Sequence, residues 1–280
     1  MSFASKATAL LAELGTGPMF VHSDPFRTAR LVKPSRNRLA LLDAHIVLLR
    51  NVAGDRGLWI PAFNYDFPRT HVFDMAADPA QVGPIPEQFR TTVADWRTPV
   101  PLFSVTGSGA VPAVSWGENT DAFGEDSIFA RLVESDGVIL YYGDTFCYNT
   151  IVHYAERQSG GPAYRYDKCF PGHVVRDGVS VPGSLCYHVR PLGTDLDYDW
   201  AGLLESALEA GICRRVDGNP EVLASSARAL CAFWMESLRS DPLALLDKKS
   251  RAWAEPALEE LGRRFTIGDF EQGDVILRRT

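Results

Sequence analysis

With 280 residues, 46% of them hydrophobic and 22% charged, the chain has the make-up of a folded globule, which excludes a largely disordered one. Twenty-eight Lys and Arg stand against 35 Asp and Glu, giving a net charge of −7 with no basic run, which argues against a nucleic-acid partner. No apolar stretch reaches the roughly 18 residues of a spanning helix, so no membrane span is expected.

Residues 2–14 read as an amphipathic helix with Ala7, Leu10, Leu11 and Leu14 on one face, ended by Gly15 and Gly17. Lys6 and Glu13 interrupt its apolar run, so it does not suit a secretory signal, and a cytoplasmic location is expected. Residues 18–23 read as a buried strand that delivers His22, Ser23 and Asp24 to a loop. A second helix is expected over 36–49, with Leu39, Leu42, Ile46 and Leu49 on its apolar face, then a strand over 57–61. Strand–helix–strand predicts an α/β fold, here a layered α/β/α sandwich with a mixed central sheet.

Residues 63–101 are rich in Pro, Asp and aromatics and read as a loop-rich insertion, helical only at 85–94. Leu102–Val114 suggests a bent strand and Glu125–Leu132 a short helix. Gly137–Gly143 is a nearly continuous apolar run between glycines, which suits a central strand covered on both faces. A turn at 144–148 leads to a helix opened by Asn149 and Thr150. Residues 162–193 look β-rich, with Asp177-Gly178 as a hairpin turn. Helices are expected over 200–210, 219–239 and 242–262, and a strand over 273–279. No linker stands out, so residues 1–280 are expected to form one domain, with the insertion at 63–101 and a helical C-terminal part at 198–262.

The five cysteines are an odd number without a CxxC pair, so reduced, mostly buried thiols are expected and a structural zinc is not. His71 and Asp74 lack a third ligand at metal spacing, so no metal site is expected there either. Neither a GxGxxG, a P-loop nor a GxSxG elbow occurs.

The sharpest constellation follows the strongest strand. Thr150, His153 and Glu156 are three apart in turn and share a helix face. A carboxylate beside an imidazole fixes its tautomer and raises its basicity, as a general base requires. The helix N-terminus offers free N–H groups to a developing oxyanion. A plain capped helix with a surface His–Glu pair has the same spacing. Asn64-Tyr65-Asp66 suits sugar stacking or an ammonium group, and equally a loop cap. Cys147 reads as a nucleophile or, more simply, as a small buried filler.

In chain order, these pieces resemble the aminoglycoside 3-N-acetyltransferase, or antibiotic N-acetyltransferase, family. The resemblance rests on Phe20-Val21-His22-Ser23, residues 57–64, Phe73-Asp74, residues 83–90, Arg97-Thr98, Phe103-Ser104-Val105, Gly124 with Ser127, and residues 149–156. It implies an acetyl-CoA-dependent transfer to an amino group. His153 would be the general base, Glu156 would orient it or hold the substrate ammonium, and Thr150 would sit near the thioester. His22, Ser23, Ser104 and Asn149 would line the donor channel and Arg97 would lie near the CoA phosphates. Asn64, Tyr65, Asp66 and Glu87 would face the acceptor. The resemblance also makes a homodimer plausible.

Two segments depart from the resistance enzymes. Val100 stands where a His is common, and Phe63-Asn64-Tyr65-Asp66-Phe67 replaces a Thr-rich run. This variant is more similar to members linked with surface-polysaccharide synthesis. The primary expectation is therefore N-acetylation of a nucleotide-linked amino sugar, with the aminoglycoside as the alternative acceptor. Arg27, Arg30, Lys33, Arg69 and Arg90 are available for a diphosphate, though each also reads as a solvated charge. Rivals from other classes are a thioester hydrolase using Ser23 or Cys147 with His153, and a non-catalytic CoA-binding protein.

Overall fold

The computed structural model describes residues 2–219 and 221–271. In chain order these form α1 (Phe3–Leu14), β1 (Met19–Ser23), α2 (Arg38–Ala53), β2 (Leu58–Pro61), α3 (Phe67–Thr70), β3 (Val72–Asp74), α4 (Pro84–Thr92), β4 (Trp96–Arg97) and β5 (Val105–Gly107). Then come β6 (Thr120–Asp121), α5 (Ile128–Glu134), β7 (Val138–Tyr142), α6 (Ile151–Gln158), β8 (Tyr166–Arg176), β9 (Val179–Val189), α7 (Trp200–Glu209), β10 (Cys213–Arg215), β11 (Val222–Ser226), α8 (Ala227–Ser240) and α9 (Lys248–Leu261). The strand expected over 273–279 lies outside the described residues. Among those residues no helix is long and apolar enough to cross a membrane.

Seven strands form a mixed sheet in the order β10-β11-β7-β1-β2-β5-β4. β7 runs parallel to β1, antiparallel to β11, and all five of its residues are buried. Alternation divides the apolar side chains between the two faces. Met19, Val21, Leu58, Ile60, Leu140 and Val222 meet α1, α2 and α4. Phe20, Trp59, Ile139, Tyr141 and Leu223 meet α5, α6 and α8 on the other side. This is the layered α/β/α arrangement expected, with helices covering both faces.

A second sheet, in the order β3-β8-β9-β6, rests on the α6 side. The Asp177-Gly178 turn joins its two long strands, with φ of 52° and 77° as a two-residue hairpin turn demands. Cys169 and Cys186 stand directly opposite each other in this hairpin, and their sulfurs are bonded. The expectation of reduced thiols fails here because register, not sequence spacing, brings them together. Cys213 and Cys231 are buried thiols, and Cys147 is exposed.

Other differences have local causes. Leu39 is exposed, so the apolar face of α2 begins at Leu42. The insertion is less irregular than expected, since α4 starts on Pro84 and Pro86, where a missing N–H costs nothing, and β3 and β4 join the two sheets. The bent strand shrinks to three residues, preceded by Leu102 in the left-handed region. The helix expected from 219 begins only at Ala227. Ser226 caps it by accepting from Ala229 N–H, and the preceding five residues pair with β7 instead.

Candidate active site

The C-terminal ends of β1 and β2 and the segment that follows β7 open into a cavity of about 570 Å³. Crevices outside the carboxyl ends of strands are where α/β sheets hold ligands. Gly143 permits the exit from β7: its φ is +115°, and a Cβ there would meet the Asp24 carbonyl oxygen at 2.5 Å. His22, Ser23, Asp24, Asn149, Thr150 and His153 contribute to the wall. A second cavity of about 890 Å³ lies against the β8–β9 hairpin, lined by Phe103, Lys168, Phe170, Tyr187, Arg190 and Tyr198 among others. His153 belongs to both walls, as do Tyr65, Cys147, Tyr148 and Trp200.

Behind His153 sits Glu156, 0% exposed. One carboxylate oxygen, Oε2, lies 3.0 Å from His153 Nδ1 and 2.9 Å from His188 Nε2. The other, Oε1, accepts from Tyr164 and Tyr198 hydroxyls, both at 2.7 Å, with Arg165 Nε 3.7 Å away. Burial pushes the Glu156 carboxyl up. Arg165 and the bonds from His153 and His188 outweigh this and hold it well below the usual range. Burial drives both tyrosines well above theirs, so they stay protonated and donate.

An ionised carboxylate only accepts, so His153 Nδ1 must carry the proton facing it. The lone pair is then on Nε2. Burial lowers His153 to about 4, against the upward pull of Glu156. The ring, 23% exposed, is therefore neutral at physiological pH and free to take a proton. His22, stacked on Tyr141, is pushed by burial to about 3. Partial desolvation, reinforced by Asp144, also raises the Cys147 thiol, which favours its protonated, poorly nucleophilic form.

Among the described residues His153, Glu156 and His188 bring three ligating atoms within 4.8 Å of one another. Arg165 already supplies positive charge beside Glu156, and both imidazoles donate to one oxygen. The group thus acts as a hydrogen-bond hub rather than a cation site.

The structure gathers Thr150, His153, His22, Ser23 and Asn149 at the first cavity, with Glu156 behind them. Tyr65, half exposed, reaches both cavities. The other expected residues are placed elsewhere. Arg97 is enclosed over the Phe73 ring, donating to the carbonyls of Ala62, Met75 and Asp78 and to Ser104 Oγ. Burial lowers it to about 10. Ser104 Oγ in turn donates to the Ala62 carbonyl, so the pair braces the chain after β2, and neither lines either of these two cavities. Both residues, expected to meet CoA, thus have their polar atoms engaged by the fold. Buried Asn64 spans Pro79 and Asp66 backbone, Asp66 holds Arg69 and Gln81, and Glu87 holds Arg90 and the Ala80 N–H. None of these three lines either of the two cavities described.

Sequence reasoning missed Tyr164, Arg165, His188 and Tyr198. Tyr164 and Arg165 had a weak signal, a polar pair closely following Glu156. His188 and Tyr198 had none, since only the return of the hairpin and the following loop brings them to Glu156.

The family model described as aminoglycoside 3-N-acetyltransferase matches residues 53–239. No curated protein matches the sequence. Among solved structures, AAC-IIIb in a binary complex with CoASH is 23% identical, with a TM-score of 0.66 over 86% of this chain and 97% of that one. The AAC(3)-IVa apoenzyme is 22% identical, with a TM-score of 0.62 over 87% and 91%. Sisomicin-bound AAC-VIa is 19% identical, with a TM-score of 0.61 over 86% and 98%. These likenesses support the fold. The family match spans more than half of the chain, which therefore belongs to the aminoglycoside 3-N-acetyltransferase family and is an N-acetyltransferase.

Proposed function

We propose that the protein transfers the acetyl group of acetyl-CoA to an amino group of an aminoglycoside, with His153 as general base. The observation that carries this reading is the position of His153. It stands where two cavities meet, its Nδ1–H held by Glu156 and its other nitrogen free. Acetyl-CoA is the co-substrate, in keeping with the family and with the CoASH complex of AAC-IIIb. The first cavity takes the thioester and the second the amine. The amine attacks the acetyl carbon, His153 takes the proton released from nitrogen, and that proton passes to the departing thiolate. No acyl-enzyme is needed, and the protonated Cys147 supports that. Both large apolar clusters use faces of the same sheet, which supports reading the described residues as one domain.

One observation favours a second acceptor. The two carboxylates of the second cavity are engaged by the protein: Asp197 by Tyr198 N–H and Trp200, Glu271 by Tyr166 and Lys168. Arg165, Lys168 and Arg190 line the same wall. A nucleotide-linked amino sugar would bring negative charge to Arg190, since Arg165 and Lys168 already face Glu156 and Glu271.

The test is CoA release from acetyl-CoA with a panel of aminoglycosides and of dTDP-, GDP- and UDP-amino sugars. Aminoglycosides should be acetylated, and His153→Ala should lose about 10²–10⁴-fold in kcat. Turnover confined to the nucleotide sugars would shift the acceptor to the second reading. Amine-independent release at full rate would mark a hydrolase, and near-normal His153→Ala turnover would overturn the base assignment.

A further inference from the structure

Asn149 carries a buried atom for which the fold supplies no partner. The residue is 1% exposed and lines the first cavity, four positions before His153. Its Nδ2 lies 2.6 Å from the Tyr141 hydroxyl oxygen, which lies 3.1 Å from Ser225 Oγ. Its Oδ1 has no hydrogen-bond partner among the described residues. A buried polar atom left unpaired is destabilising, so its persistence beside a reacting centre calls for a role.

A carboxamide keeps its shape through a half-turn. In one orientation Nδ2–H donates to Tyr141 and Oδ1 is the unpaired atom. In the other, the Tyr141 hydroxyl donates to Oδ1, Ser225 donates to Tyr141, and Nδ2 is the atom left for an occupant of the cavity that Asn149 lines. Both orientations satisfy Tyr141 and Ser225, so the occupant of the cavity decides between them. A thioester offers an acceptor at its reacting carbon, and that oxygen becomes anionic when the amine adds. Thr150 precedes α6 directly, and the positive end of that helix favours the same charge.

We propose that Asn149 is a catalytic residue of the acetyl transfer, with Nδ2 donating to the thioester carbonyl oxygen as it becomes an oxyanion. This rests on the acetyl-transfer reading above. The amine nitrogen forms the C–N bond while the carbonyl π electrons move onto oxygen, where Asn149 holds them. Their return re-forms C=O and breaks C–S. The nitrogen proton passes through His153 to the thiolate, leaving an amide and free CoA thiol.

Asn149→Asp keeps the shape but puts a carboxylate oxygen where the donor would be, and Asn149→Ala removes both. In each, kcat with acetyl-CoA should fall about 10²–10³-fold, the cost of losing one oxyanion donor. The Kd of CoA, which lacks the carbonyl, should stay within about threefold of wild type by calorimetry, since only transition-state binding is lost. A kcat within about tenfold of wild type in either folded variant would overturn the proposal. So would loss of CoA affinity in Asn149→Ala in step with kcat, which would make Asn149 an acceptor for the CoA arm. Should the aspartate variant fail to fold, the alanine variant decides alone. Wild type in the same assay separates the two claims. If it acetylates no amine, the acetyl-transfer reading falls; if it is active and both variants match it, only the role of Asn149 falls.

Discussion

Glu156 is a carboxylate that cannot be solvated and must not be neutral. Two hydroxyls, two imidazoles and a guanidinium surround it, and each is placed so that ionisation is the cheaper state. Glu156→Gln swaps one acceptor oxygen for an NH₂ group that faces donors. Removing one side of a buried charged pair costs about 3 kcal/mol or more. The variant should also lose about 10²–10⁴-fold in kcat, because His153 is no longer held in the tautomer that exposes Nε2. Denaturant midpoints and steady-state rates check the two effects, and unchanged kcat in a folded Glu156→Gln would remove the carboxylate from the mechanism. The i, i+3 spacing of His153 and Glu156 made this pair readable from the sequence. Spacing could not show that the carboxylate turns inward to meet Arg165, His188 and Tyr198. Arg97 and Ser104 show the opposite limit: a guanidinium reads as a phosphate ligand, and only the fold shows it donating to backbone carbonyls and to Ser104.

At the scale of elements, β7 was legible because five apolar residues between Gly137 and Gly143 fit a strand covered on both faces. β11 was not, since Val222–Ser226 runs straight into a helix-like pattern and only the open edge of β7 recruits it. The β8–β9 hairpin was legible from its turn, but not its cross-link. That cross-link closes a separation of 17 residues, so its loss should cost up to about 3 kcal/mol. Lys168 and Tyr187 pair across the hairpin next to the sulfurs and line the second cavity. Cys169→Ser with Cys186→Ser should therefore lower the denaturant midpoint and raise KM for the amine while leaving KM for acetyl-CoA unchanged. Equal rises in both KM values would disprove the division between the cavities.

For the whole molecule, the buried histidines set the response to acid. His22 and His153 take up protons near 6.5 when unfolded but at about 3 and about 4 when folded. The unfolded chain thus binds more protons below about 6.5, and stability falls as pH drops through that window, by up to about 1.4 kcal/mol per unit for each group. The melting temperature should decline from pH 7 to pH 5, and His22→Asn should shallow the decline. A flat profile in wild type would show that neither ring is desolvated as the fold implies. The two cavities carry a different consequence. The wall of one comes largely from strand exits of the main sheet, and much of the other from a single hairpin and the loop behind it, with His153 common to both. Mutations can therefore accumulate on the hairpin without disturbing how the thioester is held. A lineage built on this frame is free to change the amine it modifies while inheriting its acyl donor intact.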